Sequence, residues 1–210
     1  MSFRKEKKFC LTNYDFQILR LTLINKGMRT LYPERNIHSQ YFDSRDLKMF
    51  WESEEGLVPR RKIRLRSYNC KRQFNLEVKI SSVEGRFKTI ASIDDKQCMQ
   101  LLSNGMYDVN YGLLLPSLFV SYVREYFHYK NFRVTFDRRI HYKHLGSDAA
   151  KLPHRDDANV VEVKAPQSIS DDELNTIFYH PSQRFSKYSR GIKTLYSASS
   201  GSSYFIRCAI

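Results

Sequence analysis

The sequence predicts an α+β fold: an antiparallel, eight-stranded, closed β-barrel with flanking helices. Three observations point there. Short runs with period-two alternation recur along the chain, bounded by turn residues. The 14 Tyr and 14 Phe, with the Val and Ile, favour β structure. In most runs one face is ionic and the other apolar, so the polar faces can converge on a lumen while the apolar faces pack beneath helices.

In order, residues 4–11 form a strand with Arg4, Glu6 and Lys8 on one face. Thr12-Asn13-Tyr14-Asp15 opens a largely buried helix that runs to about Leu31 and is closed by Pro33. Asn36–Asp43 is a strand, Ser44–Phe50 a short helix, and Glu52–Pro59 a polar connection. Residues 60–68 and 73–80 form a hairpin about Asn69-Cys70-Lys71-Arg72, and Arg86–Ile90 is the fifth strand. Asp94-Asp95 opens a helix that stops near Gly105, and Tyr107–Pro116 reads as a loop. Ser117–His128, Asn131–Ile140 and Asn159–Ala165 complete the strands, with a polar loop over His144–Asp157. Ser170 caps a helix that ends at His180-Pro181, and Arg184–Tyr196 is the last helix. One domain therefore spans 1–197, with a C-terminal tail over 198–210.

Charge narrows the function. Against 22 Asp and Glu stand 35 Lys and Arg, a net charge of +13, which calls for an anionic partner. Nucleic acid is disfavoured, because no recognition motif is present and acids alternate with the cations. The four cysteines include no C-x-x-C and the six histidines no metal spacing, which argues against zinc. The charged start lacks a signal-peptide core, and no apolar run approaches the ~20 residues of a membrane span. A reducing cytoplasmic setting is expected, with peripheral membrane contact left open.

The densest signal is Arg60-x-Lys62-x-Arg64-x-Arg66: four cations in file, backed by Ile63 and Leu65. Neighbours ~6–7 Å apart repel by roughly 2–3 kcal/mol at an effective dielectric of ~20. Removing Arg64 is expected to relieve that repulsion. Comparable files are Glu77/Lys79, Arg86/Lys88, Arg133/Thr135/Asp137 and Glu162/Lys164. One charged strand face is usually solvated surface; several on one sheet, with cations in excess, suit a polyphosphate and a divalent metal. No glycine-rich phosphate loop occurs, so side chains must hold the phosphates.

Eight motifs in order carry a resemblance. They are Arg4-Lys5-Glu6-Lys7-Lys8-Phe9, Tyr41-Phe42-Asp43, Arg60-x-Lys62-Ile63-Arg64-Leu65-Arg66-x-Tyr68 and Leu76-Glu77-Val78-Lys79, then Tyr122-x-Arg124, Arg133-Val134-Thr135-Phe136-Asp137, Val161-Glu162-Val163-Lys164 and Phe185-Ser186-Lys187-Tyr188. Through about Lys193 the chain resembles the VTC domain of polyphosphate polymerases, in the triphosphate tunnel metalloenzyme (CYTH-like) superfamily. The resemblance implies a tunnel that transfers the terminal phosphate of ATP to a growing polyphosphate chain, with Mn²⁺ or Mg²⁺. It implies phosphate contacts from Lys8, Arg60, Lys62, Arg64, Arg66, Lys79, Lys88, Arg133, Lys164 and Lys187. Glu162 becomes the principal metal ligand, with Glu6 and Glu77 as helpers, and Lys8, Arg64, Arg66, Lys79 and Glu162 the catalytic set. Such domains are often linked to membrane proteins, in the same chain or as partners. Two departures stand out: Arg4 occupies a position where the wider superfamily often has Glu, and Ile90 one where relatives often have a base. The alternatives are an inorganic triphosphatase or polyphosphatase, with water as acceptor, and a non-catalytic polyphosphate or nucleotide sensor.

Overall fold

A computed structural model describes residues 4–69, 73–145 and 152–199. The elements in order are β1 (Arg4–Leu11), α1 (Asn13–Asn25), β2 (Arg29–Asp43), α2 (Lys48–Glu55), β3 (Arg60–Tyr68), β4 (Phe74–Ser82) and β5 (Gly85–Ile93). They continue with α3 (Asp95–Asn104), β6 (Met106–Asp108), β7 (Gly112–Tyr129), β8 (Phe132–His144), β9 (His154–Arg155), β10 (Asn159–Pro166), α4 (Asp171–Ile177) and α5 (Lys187–Ser199). Eight strands lie in the hydrogen-bonded order β1-β10-β8-β7-β2-β3-β4-β5, with β6 paired to β7 and β9 to β8. The α+β class and the antiparallel sheet are as expected; the closed barrel is not. The order has two ends, and among the described residues no ladder joins β1 to β5. Strand β5 is exposed along most of its length and carries Arg86 and Lys88, features that protect a sheet edge from pairing.

The chain divides into two compact units: residues 1–37, 121–140 and 155–185, and residues 38–120, 141–154 and 186–210. In the first, Phe9, Val161, Val163, Val134 and Phe136 form the apolar side of β1, β10 and β8. Helix α1 presents Phe16, Leu19 and Leu23 to it, at i, i+3 and i+7, and Phe16 meets Phe136 edge-on at 5.2 Å. Each such burial contributes ~1.5–3 kcal/mol. Helix α4 adds Leu174, and Phe178 just beyond it stacks on Phe9 at 5.5 Å. The opposite faces of the same strands are thereby left to the charged residues.

In the second unit, Ile63 and Leu65 of β3 pack with Phe42, Met49, Cys98 and Leu114. This turns Lys62, Arg64 and Arg66 to the other face. Helix α5 lies close to Leu118 and Tyr142; a Cβ on Gly191 would stand 2.6 Å from the Tyr142 ring and 2.7 Å from Leu118. A glycine there lets α5 approach β7 and β8.

Several boundaries move. Helix α1 ends six residues before Leu31, because Gly27 takes φ +95° and the amides of Lys26, Gly27 and Met28 close on the last carbonyls. Pro33 then sits within β2. Ile18, Leu21 and Ile24 are exposed, so α1 buries one stripe only. Helix α2 starts at Lys48 because Asp43 accepts from the amides of Ser44, Met49 and Phe50, a cap supplied from the preceding strand. The expected loop at 107–116 is the β6–β7 hairpin. Strand β8 extends to His144, and β9 lies within the expected loop. Helix α5 runs to Ser199, three residues past the expected Tyr196. Residues 70–72 of the hairpin turn, 146–151 of the loop and 200–210 of the tail lie outside the described residues.

Candidate active site

In the first unit, strand register builds the site. Lys8 faces Glu162, which faces Thr135; Glu6 faces Lys164, which faces Arg133. Directly opposed residues point to the same side of a sheet, with Cβ atoms about 4.5–5.5 Å apart. The carboxylates of Glu6 and Glu162 are interleaved with lysines: Lys8 Nζ lies 3.1 Å from Glu6, and Lys164 Nζ lies 3.2 Å from Glu162 and 3.7 Å from Glu6. Burial and the neighbouring Glu162 push the Glu6 carboxyl up, but Lys8 and Lys164 outweigh them and hold it below the ordinary range. Lys8 also donates to the carbonyl of Phe185. At the floor, Arg124 of β7 makes two bonds to fully buried Asp137, Nε to Oδ1 at 2.5 Å and Nη2 to Oδ2 at 2.7 Å. Such a forked pair fixes the guanidinium plane. Arg133 is exposed.

In the second unit β3, β4 and β5 form a basic grid. Lys62, Lys79 and Lys88 stand in one row, and Arg64, Glu77 and Ile90 in the next. Glu77 is the anion at its centre, 1% exposed. Arg64 donates to it through Nε at 2.7 Å and Nη2 at 2.5 Å, Lys88 lies at 2.6 Å, and Arg66 at 3.8 Å. Burial alone would raise its carboxyl, yet the cations and their hydrogen bonds lower it to about 2. Arg64 also donates to the Tyr41 hydroxyl at 2.9 Å, and Arg66 to Ser39 at 3.0 Å. Tyr41 is buried, which disfavours its phenolate, but Arg64, Arg66 and Lys79 bring it down to about 7. Its ring stacks on Tyr188 of α5, which donates to Asp43. Burial, then Asp43, hold the Tyr188 hydroxyl protonated. Lys62 donates to Ser186, whose hydroxyl accepts the Ser189 amide at the start of α5, next to Lys187.

The structure therefore gathers Glu6, Lys8, Glu162 and Lys164 in one cluster, and Lys62, Arg64, Arg66, Glu77, Lys79 and Lys88 in another. Arg60 is turned toward the carbonyls of Gly56 and Leu57. Repulsion within the Arg64–Arg66 file is answered internally by Glu77, which corrects the expectation that removing Arg64 relieves the empty protein. Arg124 and Tyr41 were not assigned roles from sequence; their motifs were visible, but their partners Asp137 and Arg64 become evident only once the strands are paired.

A model of the VTC domain matches residues 3–196. The chain belongs to the VTC domain family. It is thus a member of the triphosphate tunnel (CYTH-like) superfamily, and solved structures agree in fold. A proposed adenylate cyclase from Bacillus halodurans superposes with a TM-score of 0.61 at 13% identity, over 88% of this chain and 94% of that one. A Hippeastrum protein, proposed as an adenylyl cyclase and described as having a dominant triphosphatase activity, gives 0.58 at 12% identity, over 91% and 96%. A conserved Pyrococcus furiosus protein gives 0.54 at 13%, over 89% and 99%. At these identities the likeness concerns the fold. Comparison with curated proteins returns no match.

Proteins of this superfamily generally use a divalent metal ion. Among the described residues of this VTC domain no group of three or more His, Cys, Asp or Glu is close enough to hold one alone. The first cluster nevertheless fits a hard cation: two carboxylates share a face with a buried hydroxyl, Thr135 Oγ1, that has no hydrogen-bond partner. Mg²⁺ and Mn²⁺ are commonly held by one or two carboxylates, with phosphate oxygens and water completing the shell. Glu77 is engaged by three cations in its own cluster. An open cavity of about 610 Å³ beside the start of α1 contains none of the residues expected at the site. No described helix is long and apolar enough to cross a membrane.

Proposed function

We propose that this VTC domain is a metal-dependent polyphosphate polymerase that transfers the terminal phosphoryl group of ATP to a growing polyphosphate chain. The observation that carries this reading is the Glu6–Glu162 pair, interleaved with Lys8 and Lys164 on one polar strand face of a VTC-family chain. Glu162 is the principal ligand of Mn²⁺ or Mg²⁺ and Glu6 its helper; the metal, when bound, draws charge from the phosphate oxygens. Lys8, Lys164, Arg124 and exposed Arg133 bind phosphate. In the basic grid Lys62, Arg64, Arg66, Lys79 and Lys88, with Arg60 and Lys187, do the same, while Glu77, engaged by three of these cations, orients them.

The reaction asks little covalent chemistry of the protein. An oxygen of the chain-terminal phosphate attacks the γ-phosphorus of ATP, the γ-phosphorus–oxygen bond to the β-phosphate breaks, and ADP leaves as an anion. Charge spreads over the equatorial oxygens, so fixed cations supply the stabilisation and no nucleophilic side chain is needed. Cations already oriented by buried carboxylates need no rearrangement as that charge develops.

Purified protein supplied with ATP, Mn²⁺ and a short polyphosphate primer should release ADP in step with chain lengthening. ADP with an equal amount of orthophosphate, and no lengthening, would identify a hydrolase. The triphosphatase activity described for the Hippeastrum protein favours that as the second reading, since the same residues serve water as acceptor. Tight polyphosphate binding without any ADP release would identify a sensor.

A further inference from the structure

Thr135 lies on the polar face of the first unit, between Arg133 and Asp137 along β8. It is 3% exposed, and its hydroxyl oxygen has no hydrogen-bond partner. Such a group has given up its hydrogen bonds to water without replacing them, which disfavours the folded state. Valine has nearly the same shape, favours strands, and carries no such cost. A buried orphan hydroxyl therefore calls for a ligand that comes and goes.

Its position says which ligand. Strand register sets Thr135 directly opposite Glu162, on the same face. Two residues along β8, Asp137 is engaged by the Arg124 fork, and no hydrogen bond joins it to the Thr135 hydroxyl. Glu162 is turned to Lys164 at 3.2 Å. The hydroxyl thus lies beside the carboxylate assigned to the cation, and is bonded to neither neighbour.

We propose that Thr135 is a positioning residue for a divalent cation at Glu162, its hydroxyl engaging a water molecule of the hydrated ion. This rests on the reading of Glu162 as the metal ligand. Mg²⁺ and Mn²⁺ keep several waters when held by one or two carboxylates, and groups that hydrogen-bond the coordination shell tune affinity. Thr135 is not a ligand by charge; it orients the hydrated ion over the sheet.

The test uses the full chain and Mn²⁺ alone, titrated without nucleotide and followed by the electron paramagnetic resonance signal of the free ion. T135V should bind Mn²⁺ roughly tenfold more weakly, within the 10–100-fold range for such outer groups. T135S, which keeps the hydroxyl, should bind nearly as well as the parent, and E162A should lose the site. In metal-free thermal melts T135V should be at least as stable as the parent. Parental Mn²⁺ affinity in T135V, with loss of binding in E162A, overturns the role of Thr135 and leaves Glu162 standing. Parental affinity in E162A overturns both. A T135V protein that unfolds shows the hydroxyl to be structural, and also overturns the proposal.

Discussion

Replacing Glu77 with glutamine tests how the basic grid tolerates itself. Glutamine preserves shape and removes the carboxylate bonded by Arg64 and Lys88 and faced by Arg66. The Glu77 carboxyl is held at about 2, against an ordinary 4.5. That difference corresponds to roughly 3 kcal/mol of native-state stability, at about 1.4 kcal/mol per pH unit. The folded value is the lower one, so this stability is fully present above pH ~4.5 and is lost as pH falls toward 2. Urea unfolding at pH 7 should place E77Q about 3 kcal/mol below the parent. Between pH 5 and 2 the parent should lose that increment while E77Q does not. Inorganic polyphosphate should then raise the melting temperature of E77Q more than that of the parent, because an added anion replaces the missing one. An E77Q protein with the parental urea midpoint at pH 7 and the parental acid response would refute the assignment of Glu77 as the internal counter-ion.

Further outcomes are expected. E162A should abolish Mn²⁺-dependent turnover while leaving the melting temperature nearly unchanged, since Glu162 lies outside both apolar cores; circular dichroism melts and ADP release check this together. R64A should weaken polyphosphate binding and also destabilise the empty protein, by about 1.5–3 kcal/mol, because buried Glu77 loses the two Arg64 bonds and keeps only Lys88 and Arg66; denaturant titration measures it. The ultraviolet absorbance of tyrosinate should show one group titrating near pH 7, absent in Y41F, and polyphosphate should shift that titration upward by neutralising the cations that favour the phenolate. Because Tyr41 is lowered from its ordinary 10, its contribution to stability grows as pH rises from about 7 to 10 and is lost as pH falls through 7. T12A removes the hydroxyl that accepts the Asp15 amide at the start of α1, and should cost about 1 kcal/mol.

Where local chemistry set an element, the sequence was legible. Alternation in Arg60–Tyr68 placed Ile63 and Leu65 inward and the cations outward, because packing on Phe42 and Leu114 follows from side-chain period alone. The Asp94 capping signal and the β3–β4 hairpin read through for the same reason. Misreadings arose where the deciding group lay elsewhere. Pro33 suggests a stop for helix α1 near Leu31, whereas Gly27 provides the turn at positive φ that ends it. Helix α2 starts later than Ser44 because its first amides are capped by Asp43, a residue of the preceding strand. Eight strands with alternating polar and apolar faces suggest a closed barrel, but the exposed, charged β5 remains an edge. At the site, residue types were visible and pairings were not. The file of cations suggested unrelieved repulsion until register set Glu77 opposite Arg64. Thr135 looked like one polar member of a strand face until its burial and its unpartnered hydroxyl were evident.

The central claim is most directly tested by following the γ-phosphoryl group of ATP. With γ-³²P-ATP, Mn²⁺ and a short polyphosphate primer, the label should appear in a ladder of lengthening polyphosphate on a denaturing gel, in amounts matching ADP and absent in E162A. Label recovered entirely as orthophosphate, or retained in intact ATP, would contradict the account.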